Sequence, residues 1–299
     1  MPGPNEVHDF MIDRCGWLSM LLMEEPMDGA TCTNAISRYA GQAAMLAACL
    51  TLIAGESAAQ TETAKSSSTA VDTAAVSALR RMGAYLRSLQ RFSVSGTTVR
   101  DVVLHDGQKV EMEGTLQYVV RTPDRFRGDI NTDRKQRQII YDGKTLTVFA
   151  PRMRYYASVP APSTIGATLD TARIRYGIEF PIADLFLWGT PRDGLKDLMS
   201  AQDIGPAHVG GNDTEQYAFR QRGVDWQLWI ARGAMPLPVK LVITTTSEEA
   251  QPRYAATLNW NLTPVVSDAV FAFVPPRDAS RITLASYGAV LEKQPRRSK

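Results

Sequence analysis

The stretch Lys109-Val-Glu-Met-Glu-Gly-Thr-Leu-Gln-Tyr-Val-Val-Arg121 decides the fold class. Val110, Met112, Leu116, Tyr118 and Val120 alternate with Glu111, Glu113, Thr115, Gln117 and Arg121, and Gly114 falls within the apolar row. A period of two belongs to a β-strand, and one apolar row against one polar row marks a strand buried on a single face, as in antiparallel sheets. His105-Asp106-Gly107-Gln108 reads as a turn, which makes 93–104 the partner strand. Further strands are predicted over 125–130, 138–141, 144–150 and 154–159, with Asp142-Gly143 as a tight turn between two of them.

Upstream, residues 73–91 place Ala75, Leu79, Met82, Leu86 and Leu89 on one helical face, opposite Arg80, Arg81, Arg87 and Arg91. Asp72 or Thr73 can cap this helix. Downstream, Pro160-Ala-Pro162 stops the strands. Ile165, Leu169, Ala172 and Tyr176 then fit a second helix, and 182–187 and 193–199 read as short helical pieces. Alternation resumes at Tyr217 and Phe219, and continues through Val224 to Ile230, Val239 to Ile243, and Tyr254 to Leu262. Pro275-Pro276 is expected to close the sheet. The pattern is a helix, about five strands, a helical insert and about four more strands, with no βαβ rhythm. It predicts an α+β fold: a strongly curved antiparallel sheet, or incomplete β-barrel, with helices packed on its concave face.

The chain has 299 residues, and its three cysteines, Cys15, Cys32 and Cys49, all lie near its start. Arg38 precedes an apolar, uncharged run from Ala43 to Ala54, and Ser57 and Ala59 stand at −3 and −1 of a cut before Gln60. That is the layout of a secretory signal, and the run is too short for a bilayer span of about 20 residues. Residues 1–59 are therefore expected to be an N-terminal extension and signal peptide, with Met27 a candidate true start. Residues 60–71 read as a flexible linker, 72–284 as a single domain and 285–299 as a basic tail. The expected location is the periplasm, with no transmembrane span in the mature chain. A second reading makes Leu46-Ala-Ala-Cys49 a lipoprotein cut with Cys49 acylated; it is weaker, because the apolar run continues past the cysteine.

The chemistry inventory is short. Lys+Arg 33 against Asp+Glu 31 gives a net charge of +2, which argues against a nucleic-acid partner. No phosphate-binding, nucleophile-elbow or zinc-protease motif occurs. After the cut only His105 and His208 remain, both expected in loops, so no catalytic residue, metal site or cofactor is predicted. The arginines among Asp124 and Asp129 read as a solvated hairpin. Met112, Leu116, Tyr118, Tyr217, Phe219, Trp226, Leu228 and Trp260 are the candidate ligand-binding residues. They read equally well as ordinary core or as the lining of an apolar cavity between sheet and helices.

Several blocks carry a family resemblance: Arg80-Arg-Met-Gly-Ala-Tyr-Leu86, Asp106-Gly-Gln-Lys-Val110, Tyr141-Asp-Gly-Lys-Thr-Leu146, Tyr156-Ala-Ser-Val-Pro-Ala-Pro162, Phe219-Arg-Gln221, Val224-Asp-Trp-Gln-Leu-Trp229 and Pro236-Leu-Pro-Val-Lys-Leu-Val-Ile243. In this order, over about residues 72–282, they resemble the predicted periplasmic bacterial family called domain of unknown function 2092. The resemblance implies a fold like that of the lipoprotein carriers LolA and LolB, and no catalytic residues. With the export signal, the curved amphipathic sheet and the empty catalytic inventory, this leads to the expectation of a non-enzymatic periplasmic protein that binds or carries a hydrophobic ligand, such as an acyl chain, lipid or lipoprotein. The alternative is an envelope protein-protein interaction or stress-sensor module, because the fold type also occurs in a periplasmic regulator of stress sigma factors.

Overall fold

The structure is a computed structural model that describes residues 71–178 and 180–284. The apolar run at 43–54, the cut before Gln60, nearly all of the 60–71 linker, the tail and all three cysteines lie outside the described residues.

Helix α1 spans Thr73–Ser88. The Asp72 carboxylate accepts from the Ala74 N–H at 2.7 Å and so caps it. Ala75, Leu79, Met82 and Leu86 are buried, as the spacing predicts. The helix stops earlier than expected. Leu89 is already extended, and Arg91 begins strand β1 (Arg91–Val103) by pairing with Arg121. Ladder pairing thus overrides the helical period in the last three residues.

Ten strands follow in two meanders. The first is β2 (Lys109–Arg121), β3 (Arg125–Thr132), β4 (Gln136–Tyr141), β5 (Thr145–Ala150) and β6 (Tyr155–Pro160). Helix α2 (Ile165–Tyr176) and two short 3-10 turns come next. The second meander is β7 (Ser200–Val209), β8 (Asn212–Gln221), β9 (Val224–Ala231), β10 (Pro238–Thr245) and β11 (Arg253–Asn261). One last short strand, β12, covers Ser280–Arg281. All belong to one large, curved, open sheet with the order β12-β6-β5-β4-β3-β2-β1-β11-β10-β9-β8-β7. The two meanders join where β1 pairs antiparallel with β11, Val94 facing Trp260.

Two strands depart from the sequence reading. β7 has a single fully buried residue, Ala201, and contains a register shift between Asp203 and Gly205 followed by Pro206. A sheet-edge strand tolerates all three features, and none of them leaves a two-residue period to read. His208 therefore sits in a strand rather than a loop, with its Nδ1 3.0 Å from the Asp213 carboxylate. Gly210 and Gly211 form the two-residue hairpin turn, at φ 57° and 78°, a conformation that favours glycine at both places. At the other end, Pro275-Pro276 does not close the sheet, because β12 adds to β6 in parallel beyond it.

Side chains from α1, α2, residues 180–188 and one sheet face form a single buried cluster, including Met82, Leu86, Leu169, Phe186, Tyr118 and Leu241. The opposite face of β4 to β6 has its own cover. Phe273 packs at 5.5 Å from Phe149 and 5.2 Å from Tyr156, and Arg121 lies 5.4 Å over the Phe271 ring. The arginine-rich hairpin is internally paired, with Arg127 on Asp129 at 2.9 Å and Arg125 on Asp124 at 2.8 Å. Among the described residues no helix is long and apolar enough to cross a membrane.

Candidate functional site

The insert between the two meanders builds the site. Thr164 caps α2 by accepting from the Ala167 N–H at 3.3 Å, and Gly177, at φ 63°, ends it. The chain then turns through Ala183–Phe186. Three contacts hold this turn. The Tyr118 hydroxyl donates to the Pro181 carbonyl at 2.6 Å. The Arg87 guanidinium donates to the Leu185 carbonyl at 2.5 Å and the Phe186 carbonyl at 3.0 Å, satisfying acceptors at the end of the turn. Gly83 of α1 meets Gly189 backbone to backbone. Between these anchors Ile182 is held at φ 50°, an unusual conformation for a β-branched residue and one kept only where the surroundings enforce it.

Tyr118 is fully buried, and burial pushes its phenol well above the usual value. Tyr118→Phe would strip the Pro181 carbonyl of this donor and is expected to cost about 1–2 kcal/mol in urea denaturation. An unchanged midpoint would show that the bond adds nothing.

Pinned in this way, the insert faces β8 to β10 across a cleft of about 1210 Å³. Trp188, Trp226, Leu241 and Ile243 supply its apolar surface, and Asp170, Arg173, Arg192 and Arg222 are among its charged residues. Arg192 is ion-paired to Asp170, and Arg220 forks onto Asp225 at 2.7 and 2.6 Å. The cleft adjoins a small inner pocket of about 70 Å³, lined by Leu169, Ile178, Phe180, Ile182, Phe186 and Tyr254. Asp170, Arg173, Asp184, Leu187 and Ile243 border both spaces. Asp170, Arg173 and Asp184 are the charged residues at the junction. Burial drives the Asp184 carboxyl from 3.8 to about 6, against the opposing effect of a hydrogen bond with its own backbone. It also helps push the nearby Tyr254 phenol upward, after burial, which is the larger cause.

Of the eight sequence-chosen residues, Trp226 lines the large cleft. Its indole stacks on Phe219 at 4.1 Å and donates to the Gln221 side chain at 3.2 Å. Leu116, Tyr118, Tyr217, Phe219 and Leu228 are buried members of the core cluster. Trp260 packs against that cluster, donating to the Pro238 carbonyl at 2.7 Å. Met112 is half-buried opposite Arg100. Asp184, Tyr254 and the walls drawn from 166–187 were not singled out in the sequence. The usable signal was in the insert, where Phe180, Ile182, Leu185, Phe186 and Trp188 are too apolar for a solvated connection. Among the described residues, no three His, Cys, Asp or Glu side chains are grouped to hold a metal ion.

The model of a family described as predicted periplasmic protein (DUF2092) matches residues 75–285. The chain belongs to this DUF2092 family. That places it in the periplasm, as the export signal predicts. No functionally curated protein matches this DUF2092 chain. Among solved structures it is similar to the Pseudomonas aeruginosa MucA/MucB complex, at 17% identity and TM-score 0.38, covering 67% of this chain and 61% of that one. It is also similar to the Mycobacterium tuberculosis lipoprotein LppX, at 12% identity and TM-score 0.40, covering 65% and 98%. LprF from Mycobacterium bovis is similar at 14% identity and TM-score 0.38, covering 70% and 99%. At these identities and scores the likenesses assign neither ligand nor partner to the DUF2092 chain.

Proposed function

We propose that this protein is a non-enzymatic periplasmic binder or carrier of a hydrophobic chain, the acyl part of a lipid or lipoprotein, in the cleft beside the insert. In this reading α1, α2 and the insert lie on the concave face of an incomplete, LolA-like barrel formed by residues 72–284. The observation that carries the proposal is the joining of a cleft of about 1210 Å³ to an inner pocket walled mainly by apolar side chains. Ligand sites are mainly apolar, with few polar groups, and typically span about 300–1,000 Å³. The balanced charges of the rim suit a headgroup near solvent, with the chain directed inward.

Native mass spectrometry of protein exported to the periplasm tests the reading. Lipid is expected to remain on the wild type. Ile243→Glu, which sets a carboxylate where the two spaces meet, should lose at least about tenfold of that occupancy while remaining folded. Wild-type protein that never retains lipid, and that instead crosslinks to an envelope protein, would favour an interaction module.

A further inference from the structure

Tyr254 is 7% exposed, and its hydroxyl is shielded from solvent with no hydrogen-bond partner. A buried phenol normally finds an acceptor, so an orphan needs an explanation. This one lines the inner pocket, which it shares with the carboxyl of Asp184, and the two are close enough for their charges to interact. A donor without an acceptor therefore stands near a carboxylate in a mainly apolar space that Asp170 and Arg173 also border.

We infer that the inner pocket recognises a hydroxyl group on the bound chain, with Tyr254 donating to its oxygen while the ligand O–H donates to Asp184. The inference rests on the proposed chain-binding function and specifies the chemical class of its ligand. Other polar groups fit less well. A carboxylate would accept from Tyr254 but would face two carboxylates, Asp184 and Asp170, against the single guanidinium of Arg173. A carbonyl would accept from Tyr254 and turn a second acceptor toward the carboxylate. An ammonium would suit Asp184 but, having no lone pair, would leave the phenol O–H without an acceptor. A hydroxyl brings both a donor and lone pairs, and it needs no counter-charge. It also carries a lower desolvation cost than any ion into this apolar pocket.

The test measures binding of stearic acid and of two hydroxystearic acids, hydroxylated near the head and at mid-chain, to delipidated full-length mature protein. At least one hydroxylated chain is expected to bind about tenfold more tightly than stearic acid. Tyr254→Phe, which keeps the ring and removes only the oxygen, should bring that ratio close to one; Asp184→Asn should lower it too. Stearic acid bound as tightly as both hydroxylated chains would overturn the inference while leaving chain binding intact. A preference that survives Tyr254→Phe would also overturn it. If none of the three probes binds, the chain-binding function fails and the inference falls with it.

Discussion

Gly83→Ala is expected to lower the melting temperature by ~5–10 °C, equivalent to about 2–3 kcal/mol for a domain of this size. Helix propensity alone predicts the opposite sign, because alanine is favoured over glycine inside a helix by about 1 kcal/mol. Contact decides the outcome. A Cβ on Gly83 would lie 2.5 Å from the Gly189 nitrogen, 2.8 Å from its Cα and 3.0 Å from the Trp188 carbonyl carbon. All three are backbone atoms, so no flexible side chain can move aside. Gly189, at φ 75°, already adopts a conformation that L side chains rarely take, and a Cβ there would meet Gly83 in return. Either the helix or the insert must shift. The insert also carries Asp184, Leu187 and Trp188 into the cleft, so bound lipid should fall together with stability. Ser77→Ala, elsewhere on the same helix, should change the melting temperature little. A Gly83→Ala protein as stable as wild type, measured by calorimetry, would show that the close approach of the two backbones can relax without cost.

This junction also shows what the sequence could and could not reveal. The strands of the first meander were readable because each exposes one face and buries the other, so alternation survives in the residues. Leu116 and Tyr118 are buried, while Gln117 between them is exposed. Where a strand runs past the core the signal fades. Val110 continues the apolar row of β2 yet is 36% exposed, because the β1–β2 hairpin extends beyond the cluster. β7 lies at the sheet edge and has no apolar row. The candidate site was harder still, because it is defined by what is missing around a residue. Tyr254 reads as one more inward residue of β11. Only the fold shows that its hydroxyl lacks an acceptor and lies near Asp184, about 70 residues earlier in the chain. The aromatic residues chosen from alternation mostly fill the core for the same reason. Alternation identifies the face, whereas a cavity depends on the volume that neighbouring elements leave empty.

Asp184→Asn is expected to stabilise the protein near pH 7.5 by about 2 kcal/mol, and the gain should vanish in acid. The sign follows from the two end states. In the unfolded chain this carboxyl titrates near 3.8, and in the folded protein near 6. Below about pH 4 it is protonated in both states and contributes no penalty. As pH rises from about 4 to about 6, the unfolded chain releases the proton while the folded protein keeps it, so stability falls. Above about 6 the loss is complete. A shift of about two units corresponds to ~3 kcal/mol, which solvent reaching this half-buried residue reduces. Asparagine keeps the shape and cannot ionise, so its difference from wild type isolates this group from the other titrating carboxylates. Urea denaturation of both proteins at pH 4, 5, 6 and 7.5 should therefore show two curves that start together and diverge through that window. Parallel curves would mean that the Asp184 carboxyl is as well solvated when folded as when unfolded. Divergence combined with weaker binding of a hydroxylated chain by the variant would explain why an ionisable group occupies an apolar pocket. Stability at neutral pH would then be lower than the fold could reach, because the carboxylate is needed to hold the ligand.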